Sequence, residues 1–411
     1  MASTTLPVTL DDVRAAREVL EGVVRPTPLE FSRALSDRVG GPVFMKCENL
    51  QRAGSFKIRG AYNRIARLSD EEKARGVVAA SAGNHAQGVA LAAQLLGLRS
   101  TVFMPTVAPI PKLLATKGYG AHIELVGLTV DDALVAARRF EQETGAVLIH
   151  PFDHVDIVAG QGTVGLEILE ECPDVRTVLV CCGGGGLLAG IATAVKGLRP
   201  DVRVVGVQAE QAAAYPVSLE AGRPVPLERM ATMADGIAVG CPGDVPFALV
   251  SNLVDEILTV SEESLSRALL FLVERAKLVV EPAGAAGVAA LLGESVGSKP
   301  PKLEAPVAVV LSGGNIDPLL LLRVLRHGMA AAGRYLQFRL RVPDRPGSLA
   351  ALLAVLAEVD ANVLEIEHVR TGSALHVDEV EIALQLETKG ADHTELVLAK
   401  LRDVGYPLNF T

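Results

Sequence analysis

The chain has 411 residues, 49% of them hydrophobic and 21% charged, which is enough to bury the cores of two or three domains in an ordinary globular protein. Its net charge of -9 argues against nucleic acid or an anionic membrane as the main partner. The five cysteines (Cys47, Cys172, Cys181, Cys182 and Cys241) are odd in number and lack metal-ligand spacing, which fits a reducing compartment and no metal site.

Met1 to Leu10 lacks the basic start and apolar run of a signal peptide. No stretch reaches the roughly 18 uncharged apolar residues of a membrane span, so a cytoplasmic chain is expected. Asp11 to Leu20 reads as an amphipathic helix, with Asp11 or Asp12 near its start. Arg25-Pro26-Thr27-Pro28 is extended, because a residue before proline avoids the helical region. Pro42 to Lys46 is a short strand, and a turn at Gly54 leads into Ser55-Phe56-Lys57-Ile58-Arg59-Gly60. Helical spacing from Ala61 to Leu68 then places Lys57 near a helix N-terminus. There the helix dipole and lost hydration both lower an amine's proton affinity. A neutral amine is what Schiff-base chemistry with an aldehyde cofactor requires. A lone lysine beside Phe56 is more often a surface residue lying over its neighbour, and the motifs downstream reverse that preference.

Strand and helix then alternate. Strands are predicted at Val77 to Ala80, Ser100 to Met104, His122 to Val126 and Ala146 to Ile149. Helices fall at Asn84 to Leu96, Pro111 to Lys117, Val130 to Thr144 and Val155 to Glu171. The pattern resumes with strands at Thr177 to Cys181, Val202 to Val207 and Val307 to Leu311, and helices at Leu187 to Leu198, Ser261 to Ala276 and Ala283 to Leu292. Such alternation means an α/β fold of open, mostly parallel sheets covered on both faces. The stretch Glu220 to Pro246 is rich in Pro and Gly, has weak periodicity, and is expected to wrap an active-site edge.

Three loops carry chemistry. The buried strand ending at Cys181-Cys182 runs into Gly183-Gly184-Gly185-Gly186, and Leu187 opens a helix. Free N–H groups and the helix dipole make this an anion site sized for one phosphate. Ser81-Ala82-Gly83-Asn84-His85 also links strand to helix, with Ser81 and Asn84 able to cap it and leave amides for a carboxylate. His85 reads as a structural histidine rather than a base. Leu311-Ser312-Gly313-Gly314-Asn315 repeats the strand-to-glycine theme, and Ser312 could offer a neutral hydroxyl to a ring nitrogen.

Lysine, substrate loop, glycine loop and serine, in this order, resemble the fold-type II (tryptophan synthase β-like) enzymes that use pyridoxal phosphate, and the threonine ammonia-lyases in particular. The resemblance covers about residues 10 to 330. It implies that Lys57 forms the Schiff base with Phe56 beside it, and that Gly183, Gly184, Gly185, Gly186 and Leu187 hold the phosphate. It further implies Asn84 at the cofactor's 3-hydroxyl, Ser312 at its pyridine nitrogen, and Ser81, Ala82, Gly83, Asn84 and His85 around the substrate. Arg59 and Gly60 complete the family's lysine motif, and Glu281-Pro282-Ala283-Gly284 and Asp235-Gly236 resemble segments lining the pocket. The implied reaction converts L-threonine to 2-oxobutanoate and ammonia, and L-serine to pyruvate, as a first step of isoleucine biosynthesis in a homodimer or homotetramer. A serine racemase is the nearest rival, but its relatives carry a serine where this chain has Ala82, and a methyl cannot deliver a proton. Their divalent-metal site is matched by Glu210 and Ala214 but not by Pro216. A non-catalytic amino-acid sensor is a rival of another class, opposed by intact Lys57, Asn84 and Ser312.

Near Gly333 the grammar changes, giving an expected catalytic domain over 1–333, with a smaller subdomain at about 50–155, and a second domain over 334–411. Tyr335 to Val342 alternates as a half-buried strand, Asp344-Arg345-Pro346-Gly347-Ser348 is a turn, and Leu349 to Val359 is a helix. Strands at Asn362 to His368, Glu379 to Glu387 and Tyr406 to Phe410, with a helix at His393 to Arg402, complete a ferredoxin-like βαββαβ order. With its turn this segment resembles an ACT domain, a module that binds free amino acids where two such domains pair. Asp344, Pro346, Gly347 and Ser348 would then take an effector such as isoleucine or valine, with Val342, Leu349 and Leu352 lining its aliphatic part.

Overall fold

A computed structural model describes residues 6–293, 302–370 and 375–410. The chain divides into two units, Met1–Leu321 and Leu322–Thr411. The division falls inside the helix Pro318–Ala331 and so ahead of Gly333. Composition marks only where that helix ends.

In the first unit the strands are β1 (Leu29–Phe31), β2 (Val43–Lys46), β3 (Val77–Ala80), β4 (Ser100–Met104), β5 (His122–Leu125), β6 (Val147–Leu148), β7 (Thr177–Cys181), β8 (Arg203–Ala209), β9 (Glu256–Val260) and β10 (Val307–Val310). Among the described residues they make a six-stranded sheet, β1-β2-β10-β7-β8-β9, and a four-stranded sheet, β5-β4-β3-β6. The smaller sheet is wholly parallel, and in the larger only the β1–β2 pair is antiparallel. Strands β3, β7 and β10 are buried along their whole length, as their unbroken apolar runs require between two helical layers. The layers include helices with clear start signals. Thr129 and Asp132 form a capping box ahead of Val130–Thr144, and Thr9 and Asp12 form another ahead of Leu10–Val19.

The topology gathers the chemistry. The glycine loop follows β7, the Ser81 loop follows β3, Ser312 follows β10, and the lysine turn follows β2. All four lie beyond the carboxyl ends of parallel strands, where open α/β sheets expose unpaired backbone and bind ligands.

The second unit holds β11 (Tyr335–Pro343), β12 (Asn362–Val369), β13 (Glu379–Glu387) and β14 (Leu408–Asn409), in the antiparallel order β12-β13-β11-β14. Helices Ser348–Glu358 and Ala391–Asp403 bring Leu352, Leu356, Val397 and Leu401 onto the sheet face that carries Phe338, Leu340, Ile382 and Leu384.

Candidate active site

Lys57 is the first residue of the helix Lys57–Ala66, whose start has no side-chain cap. The chain reaches it from β2 through two 3-10 turns, Glu48–Leu50 and Arg52–Gly54. The lysine Nζ donates to the Pro151 carbonyl at 2.8 Å and sits 5.1 Å from the Phe56 ring centroid. The residue keeps some contact with solvent, but protein mass around the amine strips most of its hydration. Burial pulls its pKa down to about 8, against the opposing pull of Cys181 and Glu281.

Arg59, fully buried in the first turn of the same helix, fixes where that helix starts. Its guanidinium donates from Nε and Nη2 to the two oxygens of Glu48, each at 2.8 Å, and to Glu167 at 2.6 and 3.0 Å. A further bond reaches Thr163 Oγ1 at 3.0 Å. Lys46, also fully buried, joins Glu167 at 2.8 Å and Glu171 at 2.5 Å. Burial opposes the charge on Arg59, yet Glu48 and Glu167 overcome it and hold the guanidinium above its ordinary value. This cluster ties the lysine helix to the end of β2 and to the helix Val155–Glu171.

In the glycine loop, Gly185 takes the left-handed conformation (φ 98°) and caps the helix Gly186–Leu198, again without a side-chain cap. The first N–H groups of that helix therefore lack intrahelical partners and face the loop. Gly184 touches Phe152, where an added Cβ would lie 2.5 Å from ring carbons. Gly183 packs on Ile237 of the turn Asp235–Ile237, where a Cβ would come within 3.0 Å of its backbone. Tyr215 Oη donates to Gly184 O at 3.3 Å. The loop is thus a backbone cradle with packed walls, and side chains at its four glycines would collide with those walls.

Around Ser81 the expected caps change partners. Gly83 is the cap of the helix Asn84–Leu95, and Ser81 Oγ accepts from the Gly83 N–H at 3.1 Å. Asn84 points away from its own helix end: its Nδ2 donates to Glu281 at 2.6 Å, and its Oδ1 accepts from Asn315 Nδ2 at 2.9 Å. The His85 side chain turns inward, with Nε2 and the Ile149 carbonyl 2.7 Å apart. Burial and the nearby Lys57 charge push that imidazole down to about 3, so it stays neutral. It offers the open side of the loop only its backbone.

Ser312 is buried, and its Oγ accepts from Cys181 Sγ at 3.2 Å. Burial pushes the Cys181 thiol up to about 11, so it remains a donor. The Phe56 N–H donates to Ser312 O at 3.1 Å, and Ser55 bridges to Gly313, which draws the lysine turn and the serine turn together. Buried Ser55 Oγ has no hydrogen-bond partner among the described residues. Sequence reading missed Glu281 as the partner of Asn84 and Cys181 as the partner of Ser312. Contacts between residues 197 and 131 positions apart leave no local signal. A carboxylate just before Pro282, at the start of an apolar helix, is the one hint the sequence offers.

In the second unit, Asp344 accepts from Arg370 at 3.3 and 3.4 Å. Gly347 (φ 93°) caps the helix Ser348–Glu358, and Pro346 is exposed. The Ser348 N–H is already bonded to Arg345 O at 3.2 Å. Val342 and Leu352 belong to the unit's closed core, because the helix packs them onto the sheet. Leu349 alone of the three stays partly open.

The cradle, the amine of reduced basicity and the neutral serine place the protein in a recognisable class. The chain belongs to the pyridoxal-phosphate dependent enzymes, whose family model matches residues 20–313, and an ACT domain model matches residues 337–406. Within that class it is 48% identical to the L-threonine ammonia-lyase of Thermotoga maritima over 401 residues, 97% of this chain and 98% of that one. Among solved structures it is similar to a threonine deaminase from T.th. (43% identity, TM-score 0.71), covering 75% of this chain and 99% of that one. It is also similar to maize serine racemase (37% identity, TM-score 0.73), covering 77% and 96%.

Pyridoxal phosphate fits the residues present. An added Cβ at any of Gly183–Gly186 would come within 3.0 Å of Ile237, Phe152 or Tyr215, so the packed walls keep this loop bare backbone, and the buried Ser55 hydroxyl two residues before Lys57 lacks a protein partner among the described residues. Among the described residues no cluster of three or more His, Cys, Asp or Glu could hold a metal ion. No described helix is long and apolar enough to cross a membrane.

Proposed function

We propose that this enzyme eliminates water from L-threonine and yields 2-oxobutanoate and ammonia, and that L-serine gives pyruvate by the same route. The observation that carries the reading is an amine, Lys57, held at about 8 at an uncapped helix start beside a backbone anion cradle. Near-full-length likeness to an L-threonine ammonia-lyase supports the choice of substrate. When bound, pyridoxal phosphate supplies the electron sink that makes the substrate's α-proton acidic.

The remaining steps belong to side chains and backbone. Gly183, Gly184, Gly185, Gly186 and Leu187 hold the phosphate through their N–H groups, and Phe56 flanks the lysine. Asn84, with one amide N–H left after Glu281, meets the 3-oxygen. Ser312 donates its hydroxyl hydrogen to the ring nitrogen, since Cys181 already occupies a lone pair of its oxygen. Backbone N–H groups of Ser81, Ala82, Gly83, Asn84 and His85 take the substrate carboxylate. Lys57 removes the α-proton as general base, and that proton joins the departing β-hydroxyl to leave as water. The released enamine takes up a proton to give the imine, and water converts that imine to oxo acid and ammonia. Ala82 favours elimination over racemisation, because no group at that position can return a proton to the opposite face.

Residues 1–333 carry the catalysis, with a subdomain at about 50–155, in a homodimer or homotetramer of the cytoplasm at the head of isoleucine synthesis. Residues 334–411 sense isoleucine or valine through Asp344, Pro346, Gly347 and Ser348, between paired copies of the unit. The test is threonine turnover followed as 2-oxo acid, with and without isoleucine, on the full chain and on a chain ending at Gly333. Coupling of about 1–3 kcal/mol should shift half-saturation roughly 5- to 150-fold in the full chain and not in the short one. Absence of any 2-oxo acid would overturn the activity. Indifference of the full chain to both amino acids would overturn the control.

A further inference from the structure

One buried titratable group of the site has no part in these steps. Glu281 is 3% exposed and caps the helix Pro282–Leu292. Its Oε1 accepts from Asn84 Nδ2 at 2.6 Å, and its own N–H donates to Gly313 O at 3.0 Å. The Asn315 Nδ2 that bonds Asn84 Oδ1 also donates to Ala53 O at 2.7 Å, in the turn leading to Lys57. Asn84 is therefore gripped on both ends of its amide, with a single N–H remaining. Gly313 leaves room for this arrangement, since a Cβ there would come within 3.0 Å of Asn84 Nδ2.

The charges facing Glu281 come from every side. Asp235, on the turn after residue 234, repels its carboxylate, while Lys112 of the helix Ile110–Gly118 and Lys57 of the helix Lys57–Ala66 attract it. Lys112 is ion-paired with Asp235, so its charge is shared. Cys181 at the end of β7 stays a neutral thiol. Burial and Asp235 prevail and push Glu281 up to about 7.

We propose that Glu281 is a positioning residue that controls the cofactor's 3-oxygen through Asn84: its carboxyl orients the amide, and its charge sets how strongly the remaining N–H is donated. This rests on the reading above that Asn84 meets that oxygen. Ionised Glu281 draws Asn84 into a short charge-assisted bond and sets a negative charge one residue from the oxygen. That charge favours keeping a proton at the oxygen's edge of the cofactor. Protonated Glu281 removes the repulsion and holds the amide by a weaker, uncharged bond. No proton leaves the network for the substrate, so the effect is on orientation and electronic state.

The absorbance of the bound cofactor reports that state directly, without turnover. It should be recorded on the holoenzyme from about pH 5 to about pH 9, for the native protein and for Glu281→Gln, Glu281→Asp and Asn84→Ala. The native band should show a transition near neutrality. Glu281→Gln should abolish that transition, and Glu281→Asp should restore it with a moved midpoint. A transition unchanged in Glu281→Gln, with Asn84→Ala altering the band, overturns this inference and leaves the role of Asn84 standing. A band indifferent to Asn84→Ala removes the reading on which it rests. Should Glu281→Gln fail to fold, infrared difference spectra of the native holoenzyme labelled with carbon-13 glutamate decide the matter. A carboxylic C=O band that titrates near neutrality supports the proposal, and a carboxylate fully ionised down to about pH 5 overturns it.

Discussion

The loop Gly183–Gly186 and the turn Asp344–Ser348 look alike as sequence. Each contains glycine, each places a left-handed glycine at a helix start, and each reads as an anion site. The structure separates them. Gly185 and Gly347 both have positive φ (98° and 93°), but the first stands in a loop walled by Phe152, Tyr215 and Ile237 and faces other strand ends, whereas nothing lies within 4 Å of a Cβ at Gly347. The Ser348 N–H is already bonded within its turn, and the neighbouring Val342 and Leu352 serve the unit's core. A glycine turn becomes a site where a parallel sheet gathers several such ends. In an antiparallel sheet a single turn stands alone and needs a second surface to enclose a ligand.

The comparison breaks most severely at Lys57. Lys57→Ala should lower turnover by at least about 10³-fold and remove the cofactor's absorbance band, because no other amine lies in these motifs. Activity near that of the native protein would end the catalytic reading of the first unit. Next in size is the support beneath it. Arg59→Met leaves the fully buried Glu48 without its cation and Glu167 with Lys46 alone, and should cost about 3–5 kcal/mol in urea unfolding. Among the described residues of the second unit the ion pairs are exposed or half-exposed ones such as Arg370–Asp344, and Arg370→Met should cost less than about 1 kcal/mol.

Glu281 gives an effect of opposite sign. Its pKa is raised by folding, from 4.5 to about 7, so its contribution to stability is full below about pH 4.5 and is lost as pH rises through 7. At 1.36 kcal/mol per pH unit that loss is about 3 kcal/mol. Cofactor-free Glu281→Gln should therefore gain up to about that much over the native protein at about pH 8.5, and should gain little at about pH 4.5. A constant difference across that range would show that the carboxyl titrates normally. The smallest effects sharpen the glycine comparison itself. Gly184→Ala drives a methyl against Phe152 and should cost about 1–3 kcal/mol and weaken cofactor binding. Gly347→Ala meets open space and should cost only about 1 kcal/mol of backbone strain, read as a small drop in melting temperature.

Much of this is legible from residues alone. The helices at Val130–Thr144 and Val155–Glu171 and the strands at Val77–Ala80 and Glu379–Glu387 follow from local periodicity and start signals that no packing contradicts. The order of lysine, Ser81 loop, glycine loop and serine likewise announces the class of enzyme, since each motif is a strand end with its own short grammar. Short elements such as Asp244–Leu253 and β9 escape a reading by periodicity, because the Pro/Gly-rich stretch before them breaks the pattern.

What the sequence determined by itself was therefore the set of strand ends and the backbone they could expose. Tertiary structure decided what each side chain does there. It turned His85 inward to Ile149, took Asn84 from its helix cap to Glu281, aimed the Cys181 thiol at Ser312, and drew Arg59 into a buried cluster with Glu48 and Glu167. It also lowered the proton affinity of Lys57 and raised that of Glu281. Hydration and charge are properties of all the groups within a few ångströms, and those groups come from strands and helices far apart along the chain.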